Sequence, residues 1–287
     1  MLQIARLSPK QLGDSSPLVE SFLRSRLNDD GGFQDRSGAS DLYYTVFGLE
    51  GLIALGAEPP AAAVSGWLRG FGLGDSLDLL HLCCLIRCWA NVCRSGPPLD
   101  ADALAGRIES YRTKDGGYNT ELGAETGTAY GCFLTMGAYQ DLRREMPHPA
   151  GVIQCLRGLR ADDGGYANRP QASTGLTAPT AAAAALFRHL GEDPPAPLSS
   201  WLLSRHHQDG GFFATPAAPI PDLLSTATAL HALAGMKAPL DSINEPCLDF
   251  VDSLWTSAGG FYGNWADDAL DCEYTYYGLL ALGHLSL

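Results

Sequence analysis

The sequence predicts an all-α toroid of six helix pairs, a closed double ring of twelve helices. Three observations predict it. A short glycine motif returns along the chain, each copy stands between an amphipathic and an apolar helix pattern, and no stretch alternates as a strand would. The motif reads RLNDDGGF at 26–33, RTKDGGY from Arg112, RADDGGY from Arg160, HHQDGGF from His206 and WTSAGGF from Trp255. Its glycine pairs start at Gly31, Gly116, Gly164, Gly210 and Gly259. The last three intervals are 48, 46 and 49 residues, and the first is 85, close to two periods. A decayed copy in WLRGFGLGDSLDLLHLCCLIRCW (67–89), with Gly70-Phe71 in place of the pair, completes the six.

Residues 1–15 read as an N-terminal extension and 16–287 as a single toroid domain. The first helix of each pair is SPLVESFLRSRL, AAAVSGWLRG, LDADALAGRIESYR, GVIQCLRGLR, LSSWLLSRHH and EPCLDFVDSLW in turn. Apolar residues recur there at spacings of three and four, which leaves one buried stripe. Most of these segments end in a basic residue, suited to the negative end of the helix dipole. The motif glycine then reads as the left-handed residue that stops the helix, and the aromatic as a staple between neighbouring helices. The second helices, from YYTVFGLEGLIALG to YTYYGLLALGHL, are apolar nearly all round and so buried on every side. An open solenoid would need polar capping repeats, and the last helix is not one.

Composition narrows the function classes. With 46% apolar residues the chain can fill a large core, yet no run approaches a membrane span, and the start lacks a secretory signal. A net charge of −13 argues against nucleic acid and anionic membranes as partners. The eight cysteines read as reduced thiols of a cytoplasmic protein. His81, Cys84 and Cys88 share a helical face, but small buried core residues explain that segment more simply.

Four acids stand at equivalent places. Asp41, Asp78, Asp222 and Asp271 each precede Thr45, Leu82, Thr226 and Thr275 by one helical turn, where the second helices start. They should ring one mouth of the toroid. An Asp there caps free backbone N–H groups, and it takes a metal or proton role only where several carboxylates converge. Along the second helices, Ala181–Ala185 are small, while Tyr43, Tyr44, Phe47, Trp89, Tyr130, Phe133, Tyr274, Tyr276 and Tyr277 supply rings, some of which should line the hole.

The recurrent Asp-Gly-Gly-Phe/Tyr in six helix pairs resembles the β subunits of protein prenyltransferases and their relatives, the squalene and other terpenoid cyclases. The resemblance runs from about Ser16 to the end. It implies a zinc site built from an Asp, a Cys two positions later and a His after the next glycine motif, with one position open for a substrate thiolate. In GGFFATPAAPIPDLLSTATAL (210–230), Asp222 falls on the family's Asp, and Leu224 stands in place of the Cys. In GGFYGNWADDALDCEYTYYGLLALG (259–283), Tyr274 stands in place of the His. Asp271 and Cys272 are the neighbouring donors that could join Asp222 on a metal. The family's diphosphate-binding Arg and Lys fall on Thr215 and Ala218, whereas Arg36 and Arg169 offer cations in other repeats. DDALD (267–271) also matches the string that binds magnesium and diphosphate in class I isoprenoid enzymes, and the Asp-x-Asp-Asp cluster of class II cyclases does not occur.

The resemblance implies prenyl transfer from an allylic diphosphate, with an isoprenoid or similar apolar molecule in a central, aromatic-walled cavity. The candidate catalytic residues are Asp222, Asp271 and Tyr274. Those for substrate are Arg36, Arg169, Tyr44, Tyr130 and Tyr277. Zinc or magnesium would sit on Asp222, Asp271 and Cys272. Two alternatives stand beside this: a single-domain terpenoid cyclase using an acid at the cavity mouth, and a non-catalytic binding toroid. Eukaryotic members of the family pair with a helical α subunit, so the resemblance also leaves a place for such a partner.

Overall fold

The structure, a computed structural model, describes residues 1–93 and 98–287. Its helices in chain order are α1 (Leu2–Ala5), α2 (Pro9–Leu12), α3 (Ser16–Ser25), α4 (Leu42–Ala54), α5 (Ala61–Leu68), α6 (Leu79–Val92) and α7 (Ala101–Glu109). Then follow α8 (Ala129–Asp141), α9 (Pro149–Gly158), α10 (Thr177–His189), α11 (Leu198–Leu203), α12 (Leu223–Gly235), α13 (Asp241–Leu254) and α14 (Cys272–Leu285). From α3 onward these are the six expected pairs. Among the described residues the only extended pairings are isolated bridges.

The chain divides into two compact units, Met1–Pro60 with Ser199–Leu287, and Ala61–Leu198. In the first, α14 packs between α12 and α4, and α1 packs across α14 and α4. The sixth repeat therefore meets the first. In the second, α8 packs between α6 and α10. These are the apolar helices of the pattern; in α14 every residue from Gly278 to Leu285 is buried. Within α10, Ala181, Ala183, Ala184 and Ala185 are buried as well.

The glycine motif does something other than stop a helix. The helices before it end several residues earlier, with no left-handed cap; the residue after α3, for example, is Arg26 at φ −90°. The motif instead folds as a tight bridged turn. In the last copy Gly259 N–H donates to Thr256 O (2.9 Å), Thr256 N–H to Gly260 O (3.1 Å) and Tyr262 N–H to Leu254 O (3.0 Å). The same three bonds recur around Gly31, Gly116, Gly164 and Gly210. The first glycine turns at φ between 90° and 100° in all five, a region that strains other residues. The motif acid accepts from the second glycine's N–H, at 3.0 Å for Asp30 to Gly32 and for Asp163 to Gly165. The decayed copy lacks this turn: Gly70 and Phe71 lie in a 3-10 turn, and Gly72 and Gly74 take the positive φ.

The staple reading holds. Phe33, Tyr118, Tyr166, Phe212 and Phe261 are fully buried. Phe33 seats on Gly48 of α4 so closely that a β carbon there would lie 2.2 Å from its ring, and Phe261 seats likewise on Gly278 of α14. Gly211 combines φ +78° with a Phe250 ring 2.8 Å from where a β carbon would stand. Gly211→Val is therefore expected to cost roughly 3 kcal/mol, from left-handed strain and overpacking together. Denaturant unfolding measures it, and a loss under about 1 kcal/mol would mean that the turn relaxes around the new side chain.

Candidate functional site

The first unit brings three helix starts together. Tyr43 on α4 bonds Glu273 on α14, and one turn on, Phe47 meets Tyr276 and Tyr277. Partners that stay in step along both helices mean that α4 and α14 run parallel. Near their other ends His231 of α12 meets His284 of α14 at 3.0 Å. On the starting side Leu223 N–H donates to Gly263 O in the loop before α14. The N-termini of α4, α12 and α14 thus share one end of the unit.

Asp41, Asp222 and Asp271 cap them. Their carboxylates accept from Tyr44 N–H (3.1 Å), Ser225 N–H (2.7 Å) and Tyr274 N–H (2.8 Å). Asp78 caps α6 in the same way, from His81 N–H. Thr45, Thr226 and Thr275, one turn on, return their hydroxyls to the cap carbonyls and accept from the staple N–H of Phe33, Phe212 and Phe261. The spacing that marks these acids is thus first a capping device, worth about 0.5–2 kcal/mol each.

Asp271 does more than cap. Arg36 donates through Nε to its Oδ2 at 2.7 Å and through both terminal nitrogens to Asp267 at 3.2 and 2.8 Å. The Asp35 carboxylate holds the Arg36 loop in place, accepting from Ser37 N–H (2.7 Å) and Ala39 N–H (3.0 Å). The guanidinium also lies over the Tyr274 ring, 5.3 Å from its centroid. Burial works against ionisation of Asp267, yet Arg36 and the N–H groups of Ala269 and Gly263 hold its carboxyl below the usual range. At Asp271 burial outweighs the Tyr274 N–H and Arg36, and the carboxyl is pushed up. Burial also raises Asp222 against its bonds to Ser225.

Glu273, two residues beyond the cap, is the residue that the sequence pattern passed over. Burial pushes its carboxyl up to about 7, against the Tyr43 hydroxyl that donates to Oε1 at 2.5 Å, while the charge of Asp271 raises it further. Beside it runs a chain of rings: Tyr44, Tyr43, Phe47, Tyr276 and Tyr277, with neighbouring centroids 4.8–6.2 Å apart. Burial, then the nearby acids, push the phenols of Tyr44 and Tyr274 up to about 12, so both stay protonated at neutral pH. A signal was legible: Glu273 is an acid in the first turn of a helix otherwise apolar all round.

Of the residues marked from sequence, Arg36, Tyr44, Asp222, Asp271, Cys272, Tyr274 and Tyr277 all fall in this unit. Tyr130 and Arg169 belong to the other. Tyr130, 37% exposed, starts α8 with its N–H on Asn168, and Arg169 is exposed in the following loop.

The donor set does not fit a metal. Asp222 commits one oxygen to the N–H and the other to the hydroxyl of Ser225. Cys272 is fully buried and its thiol pushed up by that burial, away from the thiolate that zinc binds. In DDALD, Asp267 and Asp271 are both taken by Arg36, and Asp268 is exposed. Among the described residues no three His, Cys, Asp or Glu side chains are grouped to hold a metal. Arg36, marked for diphosphate, is likewise committed to two carboxylates. No helix among the described residues is long and apolar enough to cross a membrane.

A family model for the prenyltransferase alpha-alpha toroid domain matches residues 4–86 and 182–286. No curated protein matches the sequence. Among solved structures the chain is similar to Candida albicans protein geranylgeranyltransferase-I complexed with GGPP, at TM-score 0.70 and 13% identity over 94% of this chain and 90% of that one. It is similar to the apo type II terpene cyclase MstE from Scytonema, at TM-score 0.65 and 13% identity over 96% and 98% of the two chains. It is also similar to a D-mannose isomerase, at TM-score 0.66 and 11% identity over 96% and 97%. At such identities the likeness establishes the all-α toroid fold. The third neighbour shows that this fold also carries sugar chemistry, so the reaction must be argued from side chains.

Proposed function

The chain belongs to the prenyltransferase alpha-alpha toroid domain family, and we propose that it binds an isoprenoid chain along the rings of α4 and α14 and starts its reaction by protonating an alkene from Glu273. One observation carries this. A carboxyl that burial raises to about 7 is bonded to the hydroxyl of Tyr43, one member of a continuous run of aromatic rings. The acid is half protonated near neutral pH, where general acids work best. The rings can face a developing carbocation. Glu273 lends a proton to the C=C bond, the cation closes a ring, and loss of a proton from carbon returns it to the carboxylate. The product is an isomer of the substrate.

This places the terpenoid-cyclase reading ahead of prenyl transfer. Transfer to a thiol needs a zinc donor set, and Leu224 and Tyr274 replace two of its residues. Asp267 and Asp271 around a committed Arg36 also make a poor seat for a diphosphate. The second reading, prenyl transfer with a helical partner subunit, draws support from the neighbour that is complexed with GGPP. Both readings fit a cytoplasmic protein with free cysteines.

The test compares geranylgeraniol with geranylgeranyl diphosphate plus a cysteine peptide, each with and without a chelator. Cyclised alcohol of unchanged mass, formed in chelator, is the expected result. Product from the diphosphate alone, lost in chelator, would restore the transferase. Retained geranylgeraniol without turnover would leave a binding toroid.

A further inference from the structure

The third repeat departs from the others at two positions that touch. In four repeats the staple N–H donates to a threonine: Thr45, Thr180, Thr226 and Thr275. In the third, Tyr118 N–H donates to the sulfur of Cys132 at 3.4 Å. The second departure lies on the next first helix. There Phe250 covers Gly211, and Phe22 covers Gly260. Over the equivalent Gly117 stands Cys155. A β carbon on Gly117 would lie 2.3 Å from the Cys155 sulfur and 3.2 Å from that of Cys132, so both sulfurs flank one point above the glycine. The Cys132 thiol and the Asp115 carboxylate are the neighbours that, with burial, raise the Cys155 thiol. Both cysteines are free and buried, at 0% and 2% exposure.

We infer that Cys132 and Cys155 form a redox-active dithiol, a modification site that a peroxide closes to a disulfide joining α8 to α9 across the glycine turn. One thiolate attacks the peroxide oxygen and becomes a sulfenic acid, releasing water. The second sulfur attacks the sulfenic sulfur, the S–S bond forms, and a second water leaves. The peroxide gains the two electrons and both thiol protons. Cys132, then burial, then Asp115 keep the Cys155 thiol protonated. The first step therefore waits on local opening of the turn and quickens as pH rises.

Folded protein is treated with hydrogen peroxide well below its melting temperature, alkylated under denaturing conditions and digested. A Cys132–Cys155 peptide, lighter by two hydrogens, should appear before any other cysteine is consumed. The oxidised protein should melt about 5 °C or more higher, since the link closes a loop that the unfolded chain would otherwise leave open. Cys132→Thr, which installs the residue of the other repeats, should fold, keep Cys155 from cross-linking and show no such shift. The inference is overturned if other cysteines react first, if the linked peptide never forms, or if Cys132→Thr gains the same thermal shift under peroxide.

Discussion

Replacing Glu273 with glutamine is expected to slow turnover of a neutral polyprene by about 10²–10⁴-fold, the range that a positioned general acid supplies. The amide matches the carboxyl in size and can still accept from the Tyr43 hydroxyl. The ring face keeps its shape, and ligand affinity should hardly change. Only the acidic proton is lost, so the effect falls on kcat and not on KM. In the wild type the rate should fall tenfold per pH unit above about 7, as Glu273 ionises. The Tyr43 hydroxyl favours the ionised form, so Tyr43→Phe should carry that limb to higher pH. A flat profile from pH 5 to 9, or a glutamine variant that keeps most of its turnover, would remove Glu273 from the reaction.

The same residue leaves a mark on stability. Its folded-state value lies above the ordinary 4.5, so the folded chain holds the proton more tightly than the unfolded chain. The stability this confers is complete below about pH 4.5 and is lost as pH rises through about 7. The shift corresponds to about 2–3 kcal/mol at one pKa unit per 1.36 kcal/mol, allowing for partial solvation. Glu273→Gln should therefore melt higher than the wild type at pH 8 and about equal to it at pH 5. An activity loss joined to this gain is the signature of a strained functional group.

How much of this was legible follows from the range of each interaction. The six helix pairs follow from spacings of three and four between apolar residues, which are local. The caps at Asp41, Asp222 and Asp271 could be read from their distance to Thr45, Thr226 and Thr275. The sequence does not separate the glycine turn from a helix stop, because its bonds close between residues on either side of the glycines, as from Leu27 to Phe33; a left-handed glycine looks the same whether it stops a helix or closes a turn. The repeat period puts Gly70-Phe71 at the motif position, but the positive φ falls on Gly72 and Gly74. Arg36 could be marked as a cation, whereas its partners lie 231 and 235 residues away, beyond any local pattern. The elevated Glu273 carboxyl depends on burial among α4 side chains, a property of packing that no string of letters carries.

Removing the Arg36 side chain is expected to cost about 3–5 kcal/mol, the range for stripping one partner from a buried ion cluster. Arg36 itself is 39% exposed, which pulls toward the lower end, but Asp271 is only 2% exposed and cannot turn to water. Arg36→Ala would leave Asp267 and Asp271 facing each other without a cation. Arg36→Lys would not restore the cluster, because one ammonium cannot reproduce the forked bonds to Asp267 together with the Nε bond to Asp271. The sign with pH differs from that of Glu273. Asp267 is held below its ordinary value, so its contribution is present above about 3.8 and lost as pH falls through the lower folded value. Without Arg36 that contribution goes, and Asp271 rises further from its already raised position. The deficit should be larger at pH 7.5 than at pH 5, because a falling pH favours the neutral form of the already raised Asp271 carboxyl. Arg36→Ala combined with Asp267→Asn should recover part of the loss by removing one stranded charge. The site should report the same change, because Arg36 lowers Glu273, and in its absence the activity limb should move to higher pH. Denaturant unfolding at the two pH values, read beside the pH–rate profile, tests both. A deficit under about 1 kcal/mol at each pH with an unmoved limb would make Arg36 an ordinary surface ion pair and detach it from the acid.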